Sequence, residues 1–205
     1  SGRTYSHSYI WIINFITQGS AFLLVSLLVG RLRKSLEKER ELSRTDLLTG
    51  LPNRLSFMNR GNVLLAFCMR KKMPVSLAFI DLDNFKQVND RSGHHQGDRI
   101  LITAAEVLAA NFRSSDLVAR LGGDEFVVFL PDAHDAAADA LENVRTVLNQ
   151  TPELMKHSVS ASIGLVSYAT APNDLSDMIK DAAELMYIAK TEGRNRLYTR
   201  RMGVA

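Results

Sequence analysis

The chain has little cysteine: Cys68 is the only one in 205 residues. One thiol cannot close an internal disulfide, so the fold must rest on its core, and a reducing compartment suits it. Cys68 itself falls in the apolar pattern of an expected helix, where a buried packing role is expected. Cysteine-based zinc sites are thereby excluded, and the adjacent His94-His95 lacks the spacing that turns two imidazoles toward one metal. Neither a Walker-type glycine loop nor G-x-G-x-x-G occurs, so the two best-known glycine cradles for phosphate are missing. The chain also lacks a strong excess of one charge. Its 25 Lys and Arg against 22 Asp and Glu leave +3, although the pI is near 9.1. No aromatic-basic platform or reading helix accompanies that excess, so nucleic acid is not an expected partner. Internal repeats and low-complexity segments are absent as well.

What the chain does have is apolar residues, 46% of the total, enough for a real core, and its 205 residues make one domain with appendages or two small domains. From Tyr9 to Gly30, YIWIINFITQGSAFLLVSLLVG carries no charge. As a helix it is long enough to cross a hydrocarbon layer of ~30 Å. A signal peptide and a buried core helix are the competing readings, but there is no basic cluster before the run and no A-x-A site after it, and a charge-free run this long is unusual in a core helix. Trp11 suits an interfacial anchor. Arg31, Arg33 and Lys34 follow the run and only Arg3 precedes it, so the positive-inside rule places everything after Gly30 in the cytoplasm. Residues 1–8 are expected as a short extracytoplasmic tail. Because the chain starts at Ser1 without methionine, a sensory region is expected upstream in a longer protein. Arg31 to Arg44, RLRKSLEKERELSR, is built from good helix formers and is expected to continue the span as a helical linker. Leu32, Leu36 and Leu42 are interspersed in it, and Leu28, Leu32 and Leu42 hint at a coiled-coil seam, which Glu39 interrupts.

From Thr45 onward helical and strand patterns alternate. Leu55 to Lys72 is expected as a helix, Val75 to Ile80 as a strand opened by Pro74, and His95 to Asn111 as a helix. Asp116 to Leu121 and Glu125 to Leu130 are apolar runs separated by Gly122-Gly123, a hairpin signal because glycine supplies positive φ without steric cost. His134 to Gln150 is an alanine-rich helix, Ser158 to Tyr168 a strand containing Gly164, and Leu175 to Thr191 an amphipathic helix. Arg196 to Thr199 forms a short last strand, with residues 200–205 as a tail. Helices mixed with a hairpin and single strands predict an α/β (α+β) fold with a mixed sheet.

Acids stand at two strand ends. Asp124 and Glu125 are expected at the hairpin tip, on opposite faces. Phe79-Ile-Asp81-Leu-Asp83 runs from apolar residues straight into carboxylates. Either pair alone is explained by a solubilised turn or by a helix N-terminus that favours acids. If the two strands are neighbours, Asp81 and Asp124 converge. Two carboxylates with a backbone oxygen suit a hard divalent ion such as Mg²⁺, with phosphate as a further ligand.

Gly122-Gly-Asp-Glu-Phe126 resembles the signature of the GGDEF family, the diguanylate cyclases. The likeness extends through Asp46-Leu-Leu-Thr-Gly-Leu-Pro-Asn-Arg54, Asp81-Leu-Asp-Asn-Phe-Lys-Gln-Val-Asn-Asp90, Gly93-His94, Gly97-Asp98, Ser160-Ala-Ser-Ile-Gly164 and Ala189-Lys-Thr-Glu-Gly-Arg-Asn195. It covers about Thr45 to Thr199. The resemblance implies a fold similar to the nucleotidyl cyclase and polymerase palm, with a central mixed five-stranded sheet flanked by helices. It implies that two GTP become cyclic di-GMP and two pyrophosphates, in a homodimer whose domains each hold one substrate. Asp81, the Leu82 carbonyl, Asp124 and Glu125 would hold Mg²⁺ or Mn²⁺, and Glu125 and Asp124 would serve catalysis. Gly122 and Gly123 would admit the nucleotide closely, Asn89 and Asp98 would read guanine, and Lys190 and Arg194 would clamp the triphosphate. Phe85 and Lys86 would belong to a loop over the phosphates. On spacing alone Asn89 reads equally as a helix cap, Asp98 as a helix N-terminal acid, and Lys190 and Arg194 as charges at a helix C-terminus. Arg113-Ser-Ser-Asp116, otherwise an ordinary surface pair, has the spacing of the family's inhibitory site, where Arg113, Asp116 and Arg120 would bind cyclic di-GMP. The location implied is a bacterial inner membrane with the catalytic domain in the cytoplasm. The alternative is an inactive domain that binds GTP or cyclic di-GMP as a receptor module, although every matched motif position holds a competent residue.

Overall fold

The computed structural model describes residues 8–42, 44–133 and 136–203, and within them the side chains of residues 13–31 and of those from 44 onward. The chain divides into two units, Ser1–Ser43 and Arg44–Ala205. In the first, α1 (Ser8–Leu42) is one unbroken helix across the apolar run and the charged stretch after it. Its segment Ile13–Arg31 is long and apolar enough to cross a membrane, and its side chains are exposed throughout. The expectations for residues 1–7 and for the side chains of Trp11, Leu32, Leu36 and Leu42 fall outside the described residues.

The second unit runs α2 (Arg54–Lys71), β1 (Val75–Asp83), α3 (Phe85–Ser92), α4 (His94–Asn111), β2 (Leu117–Gly122), β3 (Glu125–Pro131), α5 (Ala136–Gln150), α6 (Pro152–Lys156), β4 (Ser160–Tyr168), α7 (Leu175–Thr191) and β5 (Leu197–Met202). The strands form one sheet in the order β2-β3-β1-β4-β5. β1 is antiparallel to both neighbours, whereas β4 and β5 are parallel. The sheet is therefore mixed, as the interleaved pattern predicted.

β1 is buried along its whole length, which is why it reads as a continuous apolar run rather than an alternating one. Its side chains still alternate between two cores. Ala78, Ile80 and Leu82 pack with Ile100, Leu108, Leu141 and Leu154, while Val75, Leu77 and Phe79 pack with Phe57, Cys68, Met178 and Ala182. Each Val, Leu, Ile, Phe or Met side chain among them contributes about 1.5–3 kcal/mol when fully buried. Gly164 explains how α7 lies on β4. A Cβ there would stand 2.0 Å from the Ala182 carbonyl oxygen and 2.3 Å from the Met186 nitrogen, so only glycine permits the approach.

Several local readings change. Phe85 and Lys86 open a helix, α3, rather than lying in a loop; the segment is short and polar, and of its side chains only Val88 is buried, so it gives no periodic signal. α6 escapes notice for the same reason. β1 continues through Asp81 and Asp83. β5 reaches Met202, so Arg200 and Arg201 belong to a strand and not to a tail. At the hairpin, a bulge between Arg120 and Gly122 lets Gly122 pair with Glu125. The turn is therefore Gly123-Asp124 instead of Gly122-Gly123, and Asp124 sits in the turn while Glu125 opens the strand. The helix start expected at His134 lies outside the described residues.

Candidate active site

Alternation on β1 explains where the acids go. Val75, Leu77 and Phe79 bury one face, and the next two positions on that face are Asp81 and Asp83. Across the ladder, Asp81 lies opposite Glu125 on β3 and Ser162 on β4, and directly opposed residues share a face. The face is thus apolar at one end and acidic at the other, and α7 covers it. The Leu82 nitrogen donates to the Asp124 carbonyl at 3.3 Å, which ties the turn to the end of β1.

Asp81 is 5% exposed. Burial pushes its carboxyl up to about 6 from the ordinary 3.8, with the charges of Asp124 and Asp83 adding to the rise and the Lys190 ammonium opposing it. Lys190 Nζ, from the last turn of α7, lies 2.5 Å from Asp81 Oδ1. That contact is a short, charge-assisted one, and Lys190 is the one protein partner that the buried Oδ1 has among the described residues. A buried carboxylate oxygen so placed, with further acids beside it, is a donor set that fits a divalent cation. Among the described residues no three His, Cys, Asp or Glu side chains gather into a complete protein cage, so such an ion would take its remaining ligands from the Leu82 carbonyl and from substrate.

Asp83 has the opposite character. It is 1% exposed and fully engaged: Ser160 and Ser162 hydroxyls donate to it at 2.7 Å each, and the Asn195 nitrogen at 3.0 Å. These bonds fasten β1 to β4 and to the loop after α7. That loop carries Arg194 and Asn195 at φ 63° and 48°, left-handed values that cost a non-glycine residue about 1–2 kcal/mol each. The Asn195 side-chain oxygen accepts from Arg145 at 2.8 Å and from Asn149 at 2.7 Å, so the loop is pinned on both sides. Arg194 itself is exposed.

At the tip, Gly122 and Gly123 have φ 151° and 52°. Arg120 holds the turn: its guanidinium donates to the Gly123 carbonyl at 2.7 and 3.0 Å and to Asp46 at 2.8 Å. Asp46 also accepts from the Thr49 nitrogen and hydroxyl. Burial opposes its ionisation, but the bonds from Thr49 and Arg120 outweigh this and hold its carboxyl below the usual range.

Asn89 and Gly97 meet where α3 and α4 pack. A Cβ on Gly97 would lie 2.0 Å from the Asn89 side-chain oxygen and 3.2 Å from Phe85. That oxygen is buried and has no hydrogen-bonding partner. Asp98 follows Gly97 and is half-buried, and Lys86 is exposed. Farther off, Asp116 accepts from the Arg113 nitrogen at 2.8 Å and borders two cavities of about 570 and 370 Å³. Arg60 lines both, Arg113 the smaller and Arg44 the larger, while Arg120 lines neither.

Residues 43–196 match the family described as "Diguanylate cyclase, GGDEF domain". The chain belongs to the GGDEF family. It is similar to the bifunctional diguanylate cyclase/cyclic di-GMP phosphodiesterase MucR of Pseudomonas aeruginosa, 39% identical over 158 residues that cover 76% of this chain and 23% of MucR. It is also similar to the response regulator PleD of Caulobacter vibrioides, 40% identical over 172 residues, 80% of this chain and 37% of PleD. The chain thus spans well under half the length of these curated relatives. The coiled coil and GGDEF domain of DgcB from Caulobacter crescentus, solved with cyclic di-GMP, superposes with a TM-score of 0.71 at 26% identity, covering 90% of this chain and all of that one (100%). The GGDEF domain of TpbB from P. aeruginosa gives a TM-score of 0.68 at 37% identity, covering 76% and 93%.

Within the GGDEF fold, the structure brings Asp81, Asp124, Glu125 and Lys190 to one end of the sheet and sets Asn89 beside Gly97. The Arg120 guanidinium binds the signature turn and Asp46. Asp83, Asn195, Arg145 and Asp46 as holders of the site, and Arg60 beside Asp116, were not singled out in the sequence. Asp83 and Asn195 sit inside motifs already recognised, and their offset from Asp81 and Arg194 was the available signal. Arg145 and Arg60 are surface-type positions on amphipathic helices and give none.

Proposed function

We propose that the chain is a diguanylate cyclase that condenses two GTP into cyclic di-GMP with release of two pyrophosphates, across a site shared by two copies. The observation that carries this reading is Asp81, a buried carboxyl with its titration raised to about 6, opposed by Glu125 in register and faced by Lys190. Such an arrangement destabilises the fold unless cations and a polyanion complete it. Asp81, Asp124 and the Leu82 carbonyl, assisted by Glu125, would hold Mg²⁺, and Mn²⁺ suits the same oxygen donors. The bound ion supplies neutralisation of phosphate charge and a lowered pKa for the attacking hydroxyl.

The remaining work falls to the chain's own residues. Glu125 accepts the proton of the 3′-hydroxyl as its oxygen bonds to the α-phosphorus of the second GTP, and pyrophosphate departs with the bonding pair. One repetition in the opposite sense closes the ring. Lys190 and Arg194 bind the triphosphate, with Lys86 and Phe85 at the start of α3 beside it. Asn89 presents an unpartnered oxygen to the donor edge of guanine and Asp98 accepts from the same edge, so adenine, which lacks that donor pair, leaves them unsatisfied. Gly122 and Gly123 let the turn approach the nucleotide. Each copy holds one substrate, so activity requires a homodimer.

Cyclic di-GMP acts as inhibitor at Arg113 and Asp116, beside the cavities that Arg60 also lines. Arg120 supports this region through the strand it shares with the signature turn. α1 anchors the chain in the bacterial inner membrane with the GGDEF unit in the cytoplasm, and two anchored copies raise each other's effective concentration. Incubating the full chain with GTP and Mg²⁺ and separating the products by chromatography tests this reading: cyclic di-GMP supports it, and unchanged GTP refutes it in favour of a binding module.

A further inference from the structure

A second cationic recess lies apart from the acids, between α3 and the segment that leads into β4. It has a volume of about 170 Å³ and is lined by Asn84, Gln87, Arg91, Ser92, Lys156 and His157, with Val88 and Ser158 completing the wall. No acidic residue lines it. His157 Nε2 is buried there without a hydrogen-bonding partner. Among the described residues neither Arg91 nor Lys156 forms an ion pair. Glu153, whose charge reaches Lys156 and His157, bonds instead to Gln96 and faces Arg99. The two walls are already joined by Asn84, which donates to the Ser158 carbonyl at 3.0 Å.

An unpartnered buried imidazole nitrogen, in a recess that two cations without ion pairs also line, is costly unless a ligand meets it. A recess of about 170 Å³ lined by cations and amides suits a tetrahedral oxyanion. We infer that this recess binds a phosphate-class oxyanion, either inorganic phosphate or pyrophosphate, held by Arg91, Lys156 and the Nε2–H form of His157. The anion bridges α3 to the entry of β4. Because α3 also carries Phe85, Lys86 and Asn89, an occupied recess fixes the helix that flanks the proposed nucleotide site. The binding itself does not depend on the cyclase reading.

The test is isothermal titration calorimetry on the full chain in detergent, in chloride buffer with EDTA, using inorganic phosphate and pyrophosphate in separate titrations. Saturable one-to-one binding is expected for at least one of them, and the tighter of the two identifies the source. Losing one charge-assisted donor should weaken it about tenfold or more in Arg91→Ala and in His157→Phe. Lys190→Ala should leave it unchanged. Lys156→Ala removes an exposed side chain and serves as the binding test should His157→Phe fail to fold. Absence of saturable binding to both anions overturns the inference, as does binding that Lys190→Ala weakens and Arg91→Ala and Lys156→Ala do not.

Discussion

Replacing Asp81 by asparagine should stabilise the unliganded protein while abolishing its activity. The folded carboxyl titrates at about 6 against an ordinary 3.8, a difference worth about 3 kcal/mol. The sign follows from proton binding. Between those two values the folded state holds the proton and the unfolded chain has lost it, so stability falls as pH rises through that window and the full cost applies above about 6. That cost is already net of the attraction of Lys190; asparagine carries none of it but leaves the ammonium without its partner, so a net gain of about 1–3 kcal/mol is expected. In a unit of this size that raises the midpoint of thermal unfolding by about 2–12 °C. The assay is thermal unfolding of the full chain in detergent at pH 8 and pH 4, with EDTA. The variant should unfold later than wild type at pH 8, and the two should converge near pH 4. Mg²⁺ with a GTP analogue should raise the wild-type midpoint and leave the variant's unmoved. An equal or lower midpoint for Asp81→Asn at pH 8 would refute the reasoning.

Other perturbations separate holders of the site from participants. Asp83→Ala leaves two hydroxyls and the Asn195 nitrogen without their acceptor and should cost about 3–5 kcal/mol in urea unfolding; a loss under 1 kcal/mol contradicts its role as a tie. Gly97→Ala drives a Cβ to 2.0 Å from the Asn89 oxygen, so the KM for GTP should rise about tenfold or more with little change in kcat, and an unaltered KM would separate Asn89 from guanine recognition. Arg113→Ala should abolish inhibition by cyclic di-GMP in initial-rate titrations and keep basal turnover. Arg120→Ala, by contrast, should lower turnover itself, because its guanidinium holds the signature turn; unchanged turnover would assign it to the inhibitory surface alone.

The sequence conveyed this much because the fold's decisive signals are local. An apolar run that ends in acids, a glycine pair between two strand patterns and a glycine inside a strand each report one physical constraint, and the sheet obeys all three. β1, the hairpin and α7 were accordingly legible, whereas the contact of Lys190 with Asp81 was not. The short helices were not, since a segment such as α3, with Val88 its one buried side chain, has no period to detect. Bonds between distant segments were hidden for a different reason. Asp83 with Asn195, and Asp46 with Arg120, are joined across 112 and 74 positions of chain, and no spacing within one segment encodes such a pair. The exact turn was misplaced by one residue because a bulge, which shifts register without changing composition, precedes Gly122.

In the proposed reaction Glu125, opposite Asp81, takes the proton while two GTP molecules are joined. Its most direct measurement is the product profile of the full chain and of Glu125→Gln, each incubated with GTP and Mg²⁺ and resolved by anion-exchange chromatography. Wild type should give two pyrophosphates for each cyclic di-GMP, and the variant should be slower by about 10²–10³ with its thermal midpoint retained. GTP left intact by wild type, or cyclic di-GMP formed at the same rate by Glu125→Gln, would contradict the account.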